Sequence, residues 1–366
     1  MVAGAELIIF LAGAAVSLGA SYVLVTRLER IGERLGLSEG LLGVLAALAG
    51  DAPEITSAVT ALSQHQNKVG AGVIIGSNVF NLAALLGLGA VVAGRIALHR
   101  KVVLLGGVVG AWIAVVCLVM VLGLVPAAVA LVAALAALIP YLIVLGGSRA
   151  RLARMPLARR WAGWLAEAVA EEEAELEEVI HPAHGRARDV AVAGGMLVIV
   201  VAASVVMEQA ATRLGTRFSI PPIIVGGVVL AAVTSLPNSV AAVYLAARGR
   251  GAAMLSTTLN SNALNVTAGL LIPATITGLG VPSGQADLIA LWYLALTLVA
   301  LAYAYRYSGM TRATGALIIG AYLVFLGSLW IVAHSAEPGL AGTVVPLAVV
   351  VACSGAGLAG RRRRLR

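Results

Sequence analysis

Long apolar runs separated by short polar breaks dominate this chain. Runs of about 20 residues, enough for a helix to cross the hydrocarbon core of a bilayer, fall near 5–26, 40–63, 69–93, 101–123, 125–147, 189–210, 221–246, 252–278, 287–305, 311–333 and 340–359. The pattern predicts an all-α integral membrane protein of about 11 spans, with its narrowest division at Leu124–Val125. One sizeable hydrophilic stretch, Arg149–Arg188, interrupts the series. It begins basic and turns acidic at Glu171-Glu172-Glu173, Glu175, Glu177 and Glu178. Trp161, Trp164 and Leu165 predict a helix lying at the membrane interface. The acidic run reads as a solvated helical face, and His181-x-x-His184 is too small a pair for a metal site.

Composition removes the soluble classes, since 60% of the 366 residues are hydrophobic and 11% charged. Basic residues orient the spans. With the N-terminus outside, every Lys and Arg except Lys68, Arg213 and Arg217 falls on the cytoplasmic side, as the positive-inside tendency requires. That asymmetry accounts for the net charge of +8 without a nucleic-acid partner. Met1–Glu6 lacks a positive n-region, so the first span reads as a retained helix. The expected setting is a prokaryotic inner membrane, with the C-terminal arginines inside.

The chain also repeats itself. A shift of 184 positions lays Pro53 on Pro237, Ser77 on Ser261, Asn78 on Asn262 and Asn81 on Asn265 without a gap, and Gly43, Val44 and Ala47 on Gly227, Val228 and Ala231. Five spans per copy is an odd number, which forces the copies upside down relative to each other. The expected division is a first five-helix repeat at 1–147, a cytoplasmic loop at 148–188, a second, inverted repeat at 189–333, and an added C-terminal helix with basic tail at 334–366. Substrates of such architectures bind near the midplane where the copies meet.

Chemistry concentrates in Gly50-Asp51-Ala52-Pro53-Glu54, which holds the only two carboxylates placed mid-way along a predicted span. Ionisable groups at that depth are costly and mark function. Asp-x-x-Glu is also a capping-box spacing, with Ser235 and Asn238 at the matching positions. A neutral serine would cap at lower desolvation cost, however, and the i, i+3 spacing sets both carboxylates on one helical face. Asp51, Glu54, Ser77, Asn78, Ser235, Asn238, Ser261 and Asn262 supply the oxygen ligands that hard cations favour. Histidine and thiolate are missing from that set, which argues against softer metals. Two carboxylates suit one divalent ion, two monovalent ions, or protons. Cys117 and Cys353 read as buried small hydrophobes.

The paired stretches resemble the two alpha repeats of the cation/calcium exchanger superfamily. Pro221-Pro222-Ile223-Ile224-Val225-Gly226 through Thr234-Ser235-Leu236-Pro237 is similar to the second-repeat signature. Gly50-Asp51-Ala52-Pro53-Glu54 with Gly76-Ser77-Asn78-Val79-Phe80-Asn81 is similar to the first. The resemblance implies a secondary cation antiporter working by alternating access, exchanging calcium for sodium or protons, without a cofactor. Small cations and the lipid bilayer are the partners it implies, with no obligate protein partner evident. It matches Glu54 to the first repeat's calcium-binding acid, and Ser77, Asn78 and Ser261 to polar ligands. Three positions depart from the family pattern: Asn238 replaces the second acid, Asn262 stands where several members have one, and Asp51 replaces a serine or threonine. A sodium/proton exchanger of the same fold is the alternative. An intramembrane aspartyl protease is remote, because a second aspartate on another span is needed to share a proton.

The orientation is checked by cysteine labelling of intact cells, after replacing Cys117 and Cys353. Sites introduced in the Arg149–Arg188 segment and in the C-terminal tail are expected to resist a membrane-impermeant reagent, and labelling of either overturns the eleven-span topology.

Overall fold

The computed structural model describes residues 2–146, 163–165, 167–170, 187–280 and 283–335. The acidic run Glu171–Glu178, His181, His184, Cys353, the expected span at 340–359 and the arginine tail lie outside the described residues. Of the expected interfacial helix, residues 163–165 and 167–170 are described and helical, and Glu167 pairs with Lys101.

The apolar runs fold into helices: α1 (Val2–Arg34), α2 (Glu39–Gly50), α3 (Ala52–Ser63), α4 (Asn67–Ala93), α5 (Arg100–Val121), α6 (Ala127–Leu145) and α7 (Ala187–Arg217). After these come α8 (Pro222–Thr234), α9 (Leu236–Ala247), α10 (251–277), α11 (Gly284–Tyr307) and α12 (Arg312–His334). Seven are long and apolar enough to cross a membrane, or up to nine crossings if each bent pair is one span. α10 is of similar length, but its Ser, Thr and Asn residues make it too polar to be recognised by apolarity. The helices belong to a membrane protein: large apolar side chains such as Ile8, Val132, Val198 and Ile331 face outward. In water they would form an unfavourable surface; in lipid they are solvated.

Two local features shape the interior. The expected span at 40–63 is two helices, α2 and α3, bent by 51° at Asp51; that at 221–246 is α8 and α9, bent by 49° at Ser235. Pro53 and Pro237 explain both bends, since proline fits the first turn of a new helix and not the interior of a continuing one. Asp51 (φ −80°, ψ −6°) and Ser235 (φ −79°, ψ −2°) occupy the same hinge conformation. The other feature is a set of π-helical turns, at Leu82–Leu88 in α4, Val225–Leu230 in α8 and Asn265–Leu271 in α10, the first beginning just after Asn81 and the last at Asn265.

α4 and α10 run through the centre and are almost wholly buried. α4 meets α8 backbone to backbone, as small residues permit in a bilayer: a Cβ added at Gly76 would lie 2.6 Å from Gly227 Cα, and one at Gly72 2.9 Å from Gly227 N. α1 and α7 pack along their length as an antiparallel pair beside this core. Glu6 meets Arg213 (3.5 Å) at one end, Ser17 meets Ser204 in the middle, and Arg27 meets Asp189 (2.7 Å) at the other. A ribbon the sequence did not suggest, β1 (Arg95–Ala97) against β2 (Gly309–Thr311), is antiparallel with Ile96 opposite Met310, and joins the end of α4 to the start of α12.

The close α4–α8 approach predicts that Gly76→Val lowers stability by about 1–3 kcal/mol, the usual cost of overpacking. Gly320→Ala, in open space on α12, is expected to leave it unchanged; thermal unfolding of the detergent-solubilised protein checks both.

Candidate functional site

The bends at Asp51 and Ser235 bring two broken helices face to face. Asp51 makes no side-chain cap hydrogen bond, and neither does Ser235, so the capping reading of Asp-x-x-Glu fails. Instead the side chains cross between the two halves of the chain. Asn238 Nδ2 donates to Asp51 Oδ1 at 2.5 Å, and Ser235 Oγ donates to Glu54 Oε1 at 2.5 Å. Under the shift of 184 these are one interaction made twice, with Asp51 matching Ser235 and Glu54 matching Asn238. Ser261 Oγ adds a second donor to Asp51 Oδ1 at 2.7 Å. Gly50 makes room: a Cβ there would collide with Asn238 Oδ1.

All four of Asp51, Glu54, Ser235 and Ser261 are fully buried, and Asn238 nearly so. Among the described residues no basic side chain pairs with either carboxylate. Asp51 Oδ2, Glu54 Oε2 and Ser77 Oγ are buried without a hydrogen-bond partner, and Ser77 and Asp51 both lie against Glu54. Unpaired carboxylate oxygens in a dry interior are expensive. Together they form a buried cluster of oxygen donors with a formal charge of −2 if both carboxylates are ionised, which is the chemistry of a hard-cation site.

The asparagines do something different. Asn78 Nδ2 donates to the Asn262 carbonyl (3.0 Å) and Asn262 Nδ2 donates to the Asn78 carbonyl (3.2 Å). Around them Asn265 Nδ2 donates to Asn78 Oδ1 (3.3 Å) and Asn81 Nδ2 to Asn262 Oδ1 (3.0 Å). This two-fold lattice sews α4 to α10. It occupies the side-chain oxygens of Asn78 and Asn262, while Asn81 Oδ1 and Asn265 Oδ1 stay unpartnered. The eight residues singled out in the sequence therefore meet in one buried cluster, with Asn78 and Asn262 in its hydrogen-bonded wall.

Three residues escaped the sequence reading. Ser57, fully buried with its Oγ unpartnered, lies one turn beyond Glu54 at i+3, a spacing that could have found it. Tyr293 on α11 is fully buried beside Asn78, and only packing brings it there. Glu208 on α7 is a third fully buried carboxylate among the described residues, and it sits near the end of an expected span rather than mid-way.

The family described as sodium/calcium exchanger protein matches residues 5–148 and 190–331, most of the chain in two segments. The chain belongs to the sodium/calcium exchanger family. Among solved structures, the H+/Ca2+ exchanger CAX superposes with a TM-score of 0.70 at 14% identity, covering 98% of this chain and 88% of that one. The sodium-calcium exchanger NCX_Mj superposes at 0.52 with 20% identity, covering 88% of this chain and 98% of that one. At these identities the likeness is one of fold. Among curated relatives, the putative antiporter CaxA of Alkalimonas amylolytica is 33% identical over 82 residues, 22% of this chain and 26% of the relative. Sodium/potassium/calcium exchanger 3 of Rattus norvegicus is 40% identical over 73 residues, 20% of this chain and 12% of the relative. These matches span about a quarter or less of the relatives' lengths. An exchanger family is one of transporters, not enzymes, and the protease reading ends here.

The asparagine lattice of this exchanger-family chain yields a stability prediction. Asn262→Ala removes the bond from Asn262 Nδ2 to the Asn78 carbonyl and the one from Asn81 Nδ2 to Asn262 Oδ1, at about 0.5–1.5 kcal/mol each, while the Asn78 carbonyl keeps the Leu82 N–H and Asn81 Nδ2 keeps Ser261 Oγ. A marked drop in the thermal midpoint, read without any transported ion present, is the expected result.

Proposed function

We propose that this protein is a secondary cation antiporter that carries calcium against protons or sodium, with Asp51 and Glu54 as the charged ligands and Ser77, Ser235, Asn238 and Ser261 as neutral ones. Asn78 and Asn262 hold the wall of the site through their hydrogen-bond lattice. The observation that carries this reading is the set of unpartnered buried oxygens, Asp51 Oδ2, Glu54 Oε2 and Ser77 Oγ, converging between the two bent helices. Calcium is the cargo named for several curated relatives, and an all-oxygen donor set suits it.

The charge arrangement favours protons as the counter-ion. Both carboxylates come from one segment, one turn apart, and the facing segment offers the neutral donors Ser235 and Asn238. Like charges brought together in a dry interior repel, which disfavours having both ionised at once. A bound cation relieves that repulsion, and so does a proton. The two therefore compete for one place, and competition at one site reached alternately from either side is antiport. The sequence offset, the matched bends and the reciprocal hydrogen bonds support two inverted five-helix repeats, 1–147 and 189–333, as the two bodies that alternate. In this reading the N-terminus is outside and the C-terminus cytoplasmic, in a prokaryotic inner membrane. A sodium/proton exchanger of the same fold is the second reading, favoured by the neutral Asn238 where a second repeat acid would hold a divalent ion.

Proteoliposomes with sodium, calcium and pH gradients imposed one at a time test the proposal. Calcium uptake driven by the pH gradient is expected in the wild type, slowing as the pH on the loading side falls. Glu54→Gln, close in shape but uncharged, is expected to reduce uptake to background while the protein still inserts. Wild-type uptake by well-folded Glu54→Gln sinks the site, and pH-driven sodium movement without calcium selects the second reading.

A further inference from the structure

Glu208 takes no part in the central cluster, yet it is fully buried. Thr212 Oγ1, one turn on, donates to Glu208 Oε1 at 3.0 Å, and Oε2 has no hydrogen-bond partner. A membrane helix does not bury an unpaired carboxylate for packing alone. Ser204, Glu208, Thr212 and Thr216 recur every four residues and so share one face of α7. Exposure climbs along that face, from fully buried at Ser204 and Glu208 through half-buried at Thr212 to exposed at Thr216.

Going inward, the row of polar groups changes helix. Ser204 Oγ and Ser17 Oγ of α1 lie 2.7 Å apart, both fully buried. Ser21, one turn further along α1, donates to the Ala49 carbonyl at 2.9 Å, two residues before Asp51. Ala49, Ala52, Ala193 and Val200 pack in one cluster, which sets the level of the central pair against α7. Glu208 lies eight residues beyond Val200, roughly 12 Å towards the Arg217 end.

The charged groups on the elements packed against α7 are few. On α1, Glu6 is held by Arg213, and Arg27 and Arg30 meet Asp189 at the opposite end, near Glu29 and Arg34 in sequence. On α3 the titratable group is Glu54, and α8 carries none. Among the described residues, Glu208 has no ion-pair partner.

We propose that Glu208 is a second proton-carrying carboxyl, the buried station of a polar ladder along α1 and α7 that links water at the Thr216 end with the Asp51–Glu54 pair. The proposal rests on the proton-coupled reading above. A proton displaced from the pair by a cation passes through the Ser21, Ser17 and Ser204 hydroxyls, each accepting one proton and giving up its own. It then protonates the Glu208 carboxylate and leaves past Thr212 and Thr216. The one-turn gaps along α1 and α7, about 5–6 Å, and the step from the pair past the Ala49 carbonyl to Ser21 require bridging waters. The positions 184 earlier than Ser204, Glu208 and Thr212 are Ala20, Leu24 and Leu28. The ladder therefore serves one side of the membrane, the side that the basic residues put outside.

Two transport modes separate this role from the central site: calcium uptake driven by a pH gradient, and calcium self-exchange, which moves no net proton. Glu208→Gln is expected to lower the ratio of the first to the second by roughly tenfold or more, and Ser17→Ala combined with Ser204→Ala to shift it the same way. A wild-type ratio in Glu208→Gln overturns the proposal. If the wild type shows neither mode, the antiporter reading fails on its own, and Glu208 is judged by infrared difference spectra of the cation-free protein through a pH titration. A carboxyl band that vanishes in Glu208→Gln is then the expected result, and its persistence overturns the proposal.

Discussion

Among the described residues no basic side chain neutralises the two carboxylates buried in one short segment, and the rest of the structure is arranged around that constraint. Burial of an unpaired charge costs several kcal/mol even after the protein relaxes. The structure offsets part of that cost with neutral donors from the other half of the chain: Ser235 to Glu54, Asn238 and Ser261 to Asp51. Each carboxylate keeps one oxygen unpartnered. A site satisfied on one side and open on the other suits a cargo that must bind and then leave.

Holding those groups in register requires rigid surroundings. The prolines end one helix and begin the next at the depth of the site, so Asp51 and Ser235 occupy hinges rather than helix interiors. α4 and α10 back the site with reciprocal asparagine bonds and glycine contacts, which tolerate little movement. The same residue type thereby serves two purposes, since Asn238 solvates a carboxylate while Asn78 and Asn262 fasten helices together.

The α1–α7 pair is a separate layer with its own polar interior. Its two ends are held by ion pairs, Glu6–Arg213 and Arg27–Asp189. Both are partly exposed, so each contributes modestly to stability; their effect is to hold the two helices in one register. That register aligns Ser17 with Ser204 and leads from Glu208 towards the hinge at Asp51.

The membrane class and the residues of the central cluster were legible in the sequence alone. Hydrophobic run length, proline position and a repeat offset are local or additive signals, readable without knowing which helices touch. Asp51, Glu54, Ser235 and Asn238 stood out because polar groups are rare in such runs. Which oxygen faces what is visible only once the helices are packed. Asp51 has a capping spacing and does not cap, because Asn238 and Ser261 arrive from positions about 190 and 210 residues away to take its oxygen. Asn78 and Glu54 look alike as polar residues in a span, yet one is consumed by its mirror image and the other is left open. Glu208 passed unnoticed in the sequence because its position near the end of an apolar run is ordinary for a glutamate; the packing of α7 against its neighbours makes it buried.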